Sequence, residues 1–293
     1  MTNWGVVRLW RGTLVVAHPG PSLACTVLAA ISGWSAARQS DSAGSHHWGR
    51  LLRASGAMLL AQASTGSLND FIDSGADAVH QPYKPIPSQQ VSAAHALAMA
   101  LGTGAGALAL AASCGPAALG VMGLGLASGW AYDLGLSRTP ASWLPFVSGL
   151  VTVPRLGPAA IGARVPRPIL TTSLSGLIGL GLHLANGGPD IERDQAAGRR
   201  SLPVVLGPRL TRSGSHLALT AAALAVGATA PPRGAWLTRA GAASCLGLLA
   251  ADRWLASPKR TPGRHPFVLP VLAAVCLASG WLGGPALGPP LAD

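Results

Sequence analysis

The sequence predicts an all-α, polytopic membrane protein with about nine transmembrane helices. Its 293 residues are 49% hydrophobic and only 11% charged, and the mean hydropathy is +0.40. Soluble domains carry about 25% charged residues, so this chain lacks the polar surface that water requires. A second observation supports the same class, because apolar runs of about 20 residues recur along the chain and each can cross a bilayer as a helix.

The apolar runs occur in order from the amino end to the carboxyl end, and Gly or Pro interrupts several of them. They cover residues 12–36, 54–70, 91–113, 115–132, 140–154, 168–186, 214–231, 234–251 and 266–284. The first run contains Pro19 and Pro21 and is longer than a signal peptide, so we expect it to stay in the protein. We expect residues 1–293 to form a single integral membrane domain.

The orientation follows from the Lys and Arg residues in alternate loops. If the amino terminus is cytoplasmic, 13 of the 21 basic residues lie on the cytoplasmic side, the direction of the positive-inside rule. They are Arg8, Arg11, Lys84, Arg138, Arg193, Arg199, Arg200, Arg209, Arg212, Arg253, Lys259, Arg260 and Arg264. The net charge of +11 then reflects topology and contact with anionic lipid. Nucleic acid is not an expected partner, because no soluble basic module is present.

Six of the ten acidic residues fall in two short windows, residues 69–77 and 186–194. Each window has an Asn followed by two Asp residues at steps of four: Asn69, Asp73 and Asp77 in the first, and Asn186, Asp190 and Asp194 in the second. Steps of four place side chains on one helix face, about 6 Å apart along the axis. We therefore expect two columns of oxygen ligands at cytoplasmic helix ends.

These columns indicate a site for a hard cation. Like charges four residues apart repel each other, and carboxylate and amide oxygens without His or Cys suit Mg²⁺. Mg²⁺ usually completes its shell with waters and substrate phosphates, so the expected partner is a diphosphate. The basic residues available to bind it follow the columns or lie in the next cytoplasmic loop: Lys84, Arg138, Arg199 and Arg200.

Several of these features also have simpler interpretations. One acidic run at a helix end is usually a solvated cap, but two runs with the same register and trailing basic residues favour a site. The glycines at 102, 104 and 106 lie in an apolar run with no preceding strand, so they indicate helix packing and not a nucleotide loop. The four cysteines are isolated, so neither a disulfide framework nor a zinc site is expected.

Three stretches resemble the UbiA superfamily of intramembrane prenyltransferases. "NDFIDSGAD" is similar to the first Asp motif of that family, "DIERDQAAGRRSLPVVLG" to the second, and "YDLGLSRTPASWLP" to the loop between them. The resemblance covers about residues 10 to 285. It implies a helical bundle with a central cavity and the transfer of an isoprenyl chain from its diphosphate to an acceptor.

The resemblance also implies roles for individual residues. It assigns Asn69, Asp70, Asp73 and Asp77 to the first metal motif and Asp190 and Asp194 to the second, beside the Asn186 of the column. We expect catalysis to depend most on Asp73, Asp190 and Asp194. Lys84, Tyr132 and Arg138 would bind the diphosphate. The sequence departs from the family at Gln81 and Ser137, where basic residues are common, and Arg193, Arg199 and Arg200 can offset that loss.

The expected reaction is a Mg²⁺-dependent prenyl transfer, with Mn²⁺ as a possible substitute, to a small lipophilic acceptor such as an aromatic or quinone precursor. Bound metal and arginines stabilise the departing diphosphate, and a dry apolar cavity protects the allylic cation. A terpene cyclase that ionises the same diphosphate is the first alternative, although such a cavity needs aromatic rings. An ion-coupled transporter is the second.

Overall fold

The computed structural model of the chain describes residues 3–39, 46–230, 236–255 and 268–284, and these residues form helices and short connections without any strand. Proline within the first turn starts several helices, because its missing N–H is not needed there. The α-helices are α1 Asn3–Val16, α2 Pro19–Gln39, α3 His46–His80, α4 Ala93–Ala112, α5 Pro116–Asp133, α6 Trp143–Ile161, α7 Pro168–Gly187, α8 Ile191–Ala196, α9 Leu202–Thr229, α10 Trp236–Leu255 and α11 Val268–Gly283.

The all-helical class is confirmed, whereas nine membrane crossings remain a prediction. Each of the nine predicted apolar runs overlaps one of the longer helices of the described residues. By length and composition, three segments are long and apolar enough to cross a bilayer: Ala93–Ala112, Trp143–Ile161 and Pro168–Ala196. The bent pair Val7–Val16 and Pro19–Gln39 adds a fourth if it counts as one span.

The first apolar run, predicted as one helix over residues 12–36, is broken in the structure. α1 and α2 meet at an angle of 56°. The break lies at His18, whose φ of +49° is in the left-handed region, directly before Pro19. Proline disfavours the helical conformation in the residue that precedes it, so the chain turns at this point. The turn brings His18 to the end of the bundle where α3 finishes.

Small residues allow the helices to pack closely. A Cβ atom on Gly157 of α6 would lie 2.5 Å from the Cα atom of Gly33 in α2, so neither helix tolerates a larger side chain there. Gly241 of α10 and Gly280 of α11 form a similar contact. Such close approach is typical of helix pairs in membranes, where packing replaces the hydrophobic effect as the driving force.

Three connections tie the ends of several helices together. The backbone N–H of Arg200, before α9, donates to the carbonyl of Arg138, which follows α5, at 3.0 Å. The hydroxyl of Ser142, before α6, accepts from the N–H of Leu202 at 2.9 Å and bonds His183 of α7 at 3.0 Å. The ends of α5 and α7 and the starts of α6 and α9 therefore lie at one end of the bundle.

Candidate active site

The last three turns of α3 carry the first acidic motif, and its side chains point in two directions. Asn69 and Asp73 are half-buried and face α5 and the segment after α8. Asp70 and Asp77 are buried and face the loop that follows α3. The predicted column of Asn69, Asp73 and Asp77 is therefore wrong in its last member, because Asp77 shares Lys84 with Asp70 instead.

Lys84 holds the buried half of this motif. Its Nζ lies 3.0 Å from Oδ1 of Asp70 and 2.8 Å from Oδ2 of Asp77. Burial alone would lower the pKa of Lys84, but the hydrogen bond to Asp77 and the charge of Asp70 outweigh burial and raise it. The lysine is thus a fixed positive charge. Nε2 of His18 also lies 3.3 Å from Asp70, so the break between α1 and α2 supplies another contact to the motif.

The second acidic motif does not continue one helix. Asn186 is in the last turn of α7, Asp190 ends the 3₁₀ turn Gly188–Asp190, and Asp194 is in α8. Pro189 explains the break, since it has no N–H to donate to the preceding turn. The predicted single column of Asn186, Asp190 and Asp194 is therefore interrupted, although the three residues stay within one short stretch of chain.

Arg199 connects the two motifs. Its guanidinium lies 3.2 Å from Oδ1 of Asp194 through Nη1 and 3.7 Å from Oδ1 of Asp73 through Nη2. The backbone N–H of Arg199 also donates to the carbonyl of Asp194 at 2.9 Å, which fixes the turn after α8. Two windows separated by more than a hundred residues in sequence therefore meet around one cation.

The other basic residues predicted for the site lie around this junction. Arg193 forms an ion pair with Asp190 at 3.0 Å within the second motif. Arg138 and Arg200 are exposed, and the backbone bond between them keeps their chain segments adjacent. The region therefore has paired cations among the carboxylates and two further cations at its open side.

Tyr132 joins the polar region to an apolar one. Its ring packs edge-on against Phe146, with ring centroids 5.6 Å apart, and against His183 at 6.1 Å. Its hydroxyl lies close to the side chain of Asn186. Tyr132 also lines a cavity of about 160 Å³ between α3, α5 and α6. The walls of that cavity are mainly apolar or small, as at Met58, Leu126 and Gly129.

Two residues contact the first motif in the structure although the sequence motifs did not predict them. His18 contacts Asp70, and Oδ1 of Asp133 accepts a hydrogen bond from Nδ2 of Asn69 at 3.1 Å. The position of His18 before Pro19 was a possible signal, since that residue must turn. Asp133 was visible as an acid at the end of an apolar run, directly after Tyr132.

The donor set fits a divalent cation. Five motif carboxylates pair with three cations, Lys84, Arg193 and Arg199, so these ion-paired groups alone carry two more negative than positive charges when His18 is neutral. The available ligands are carboxylate and amide oxygens, which suit Mg²⁺. Within the described part of the chain, no three acidic, His or Cys side chains are grouped as metal ligands, since the carboxylates contact basic residues.

Two curated relatives are similar to the chain. Digeranylgeranylglyceryl phosphate synthase from Halobacterium salinarum is 29% identical over 222 residues, which span 73% of this chain and 76% of the relative. The 33 kDa chain of bacteriochlorophyll synthase from Cereibacter sphaeroides is 33% identical over 167 residues, which span 54% of this chain and 53% of the relative. Both names are those of prenyltransferases.

A solved structure shows the same fold. A UbiA homologue from Archaeoglobus fulgidus, bound to DMAPP and Mg²⁺, superimposes with a TM-score of 0.65 at 16% identity, over 92% of this chain and 97% of that one. The UbiA prenyltransferase family itself matches residues 26–274, a span that contains both acidic motifs, Tyr132 and the apolar cavity. The chain therefore belongs to the UbiA prenyltransferase family.

Proposed function

We propose that this protein transfers an isoprenyl chain from a prenyl diphosphate to a lipophilic acceptor in a Mg²⁺-dependent reaction at the cytoplasmic face of the membrane. The observation that supports this most is the junction at Arg199, where Asp73 of one motif and Asp194 of the other contact the same guanidinium. A diphosphate with its metal ions requires this pairing of carboxylates and cations in one place.

The metal would be held by oxygens of both motifs, from Asn69, Asp70, Asp73 and Asp77 on one side and from Asn186, Asp190 and Asp194 on the other. When bound, Mg²⁺ would stabilise the negative charge that develops on the departing diphosphate. The similar protein from Archaeoglobus fulgidus carries DMAPP and Mg²⁺, which supports this assignment by analogy.

The side chains of this protein would position the substrate. Arg199 lies between the motifs, and Arg138 and Arg200 lie at the open side, where they are free to meet the diphosphate. Lys84 is engaged by Asp70 and Asp77, so its first role is to hold the motif and its second is to add positive charge near the phosphates. Arginine suits this task because its planar fork binds phosphate oxygens in pairs.

The cavity beside Tyr132 would take the first part of the prenyl chain. Apolar walls exclude water, which would otherwise capture the allylic cation when the C–O bond breaks. The electron-rich carbon of the acceptor then forms the new bond, and its displaced proton passes to a carboxylate or to the diphosphate. The acceptor we propose is an aromatic or quinone precursor. The names of the two relatives include a glyceryl phosphate lipid and a bacteriochlorophyll, so the family resemblance alone leaves the acceptor open.

Two observations weigh against the alternatives. The cavity lining contains Tyr132 and Phe146 but, within the described residues, no Trp, whereas six Trp residues are exposed on the surface. A cyclase would need more aromatic rings along the path of the cation. Furthermore, every acidic residue that the structure describes lies at the same end of the bundle, whereas an ion-coupled transporter needs charges along its path.

The experiment is an assay of the purified protein with Mg²⁺ and a panel of prenyl diphosphates, with and without lipophilic acceptors. We expect diphosphate release that depends on an acceptor, stops with EDTA and returns with Mg²⁺ or Mn²⁺. Release without any acceptor, together with a cyclic hydrocarbon, would favour the cyclase. Full turnover in metal-free buffer would contradict the proposal.

A further inference from the structure

The buried carboxylate of Asp133 lies beside the first motif and has no role in the scheme above. Asp133 is the last residue of α5 and follows Tyr132, and only 5% of its surface is exposed. Its Oδ1 accepts a hydrogen bond from Nδ2 of Asn69 at 3.1 Å. Asp70 and Asp73 are both near enough to repel its charge.

The second oxygen of Asp133 is unpaired. Oδ2 is buried and has no hydrogen-bond partner among the described residues. The five motif carboxylates differ from Asp133, because each of them forms an ion pair with Lys84, Arg193 or Arg199. A buried carboxylate without a donor or cation costs free energy, so an unpaired oxygen at this position indicates a missing positive partner.

The hydrogen bond with Asn69 also supports a cation beside Asp133. An amide side chain has one donor group and one acceptor oxygen. Because Nδ2 of Asn69 donates to Asp133, its Oδ1 is the atom that stays available, and only an oxygen can bind Mg²⁺. Asp133 therefore sets the orientation of a proposed metal ligand and lies next to it.

We propose that Asp133 is an additional carboxylate of the metal centre: Oδ1 orients Asn69, and Oδ2 binds the divalent cation directly or through a water that the cation holds. The inference rests on the proposed function, since it requires the metal. It adds to that function a charged residue that neither acidic motif contains. The competing explanation is a structural role, in which Asp133 only hydrogen-bonds Asn69.

The test is the affinity of the purified protein for Mn²⁺, measured by electron paramagnetic resonance with and without inorganic diphosphate. The Asp133→Asn variant keeps an oxygen that can accept from Asn69 but loses the charge. We expect its Mn²⁺ affinity to fall about tenfold or more, as for residues that support metal ligands. Wild-type affinity in a folded Asp133→Asn protein would overturn the inference. If this variant is not recovered folded, Asp133→Ser is measured with the same expectation.

The matched control is Asp252→Asn. Asp252 is also 5% exposed and belongs to neither motif, but its Oδ2 is paired with Arg212 at 2.7 Å and with His216 at 2.9 Å. We expect its Mn²⁺ affinity to equal that of the wild type. A wild-type protein that binds no Mn²⁺ would contradict the proposed function itself, whereas equal binding by wild type and Asp133→Asn would contradict only the role of Asp133.

Discussion

Replacing Arg199 with Gln tests whether the two acidic motifs act as one site. Gln is shorter than Arg and neutral. The substitution therefore removes the positive charge that lies between Asp73 and Asp194. If Arg199 only stabilises the fold, the free energy of unfolding should fall, and activity should fall only as far as the amount of folded protein does. If Arg199 binds the diphosphate, activity should fall far more than stability.

The structure gives the size of both effects. The side chain of Arg199 is 25% exposed, and one of its two ion pairs, at 3.7 Å to Asp73, is longer than a hydrogen bond. Partly exposed pairs of this kind contribute about 0.2 to 1 kcal/mol each, so the free energy of unfolding should fall by about 1 kcal/mol. Loss of one group that stabilises a developing anion typically costs about 100-fold to 1,000-fold in rate.

The assay measures diphosphate release by wild type and Arg199→Gln at saturating Mg²⁺, together with thermal unfolding in detergent. Arg212→Gln is the control, because Arg212 also pairs with a buried acid, Asp252, but outside the two motifs. We expect the control to keep its activity within about threefold. An Arg199→Gln protein that is folded and still has nearly full activity would refute the reasoning.

Three further predictions follow from the site. Asp73→Asn and Asp190→Asn should each lower the rate of diphosphate release about 100-fold. The double variant should be little slower than the slower single variant, because the effects of residues that act as a unit are not additive. Additive losses would indicate two separate sites. Lys84→Met leaves two buried carboxylates without their cation, so unfolding should be easier by about 3 to 5 kcal/mol, and an unchanged melting temperature would contradict the ion pairs described above. Cysteine labels at Ser74 and Gln195 should both react from the cytoplasmic side, and labelling from opposite sides would show that the predicted topology is wrong.

The meeting of the two motifs could be predicted from the sequence. The first acidic window follows the second apolar run and the second window follows the sixth, so an even number of crossings separates them. If each of these apolar runs crosses the membrane once, as predicted, the two windows lie on the same side, whatever the exact helix ends are. The structure brings them into contact through Arg199, whose position after the second window already marked it as a partner for the phosphates.

The internal geometry of the motifs could not be predicted from the spacing alone. A helix turns by about 100° per residue, so two steps of four rotate the side chain by about 80° from the starting direction. A step of seven rotates it by only about 20° in the opposite sense, which explains why Asp77 shares Lys84 with Asp70 and leaves the column of Asn69 and Asp73. In the second motif the 3₁₀ turn at Gly188–Asp190, which contains Pro189, interrupts the α-helix, so steps of four no longer keep the register of one α-helix across that turn.

The departure from the family at Gln81 acquires a physical explanation in the structure. Gln81, where a basic residue is common, donates from Nε2 to Oδ1 of Asp77 at 3.3 Å and accepts from the hydroxyl of Tyr83 at 3.1 Å. Gln81 therefore contributes a hydrogen bond to Asp77 without a positive charge. Because Lys84 already pairs with both buried carboxylates, a second cation at position 81 would have no unpaired acid to neutralise in this half of the motif. The positive charge that the proposed diphosphate would need lies instead on the opposite side, at Arg199, which contacts both Asp73 and Asp194.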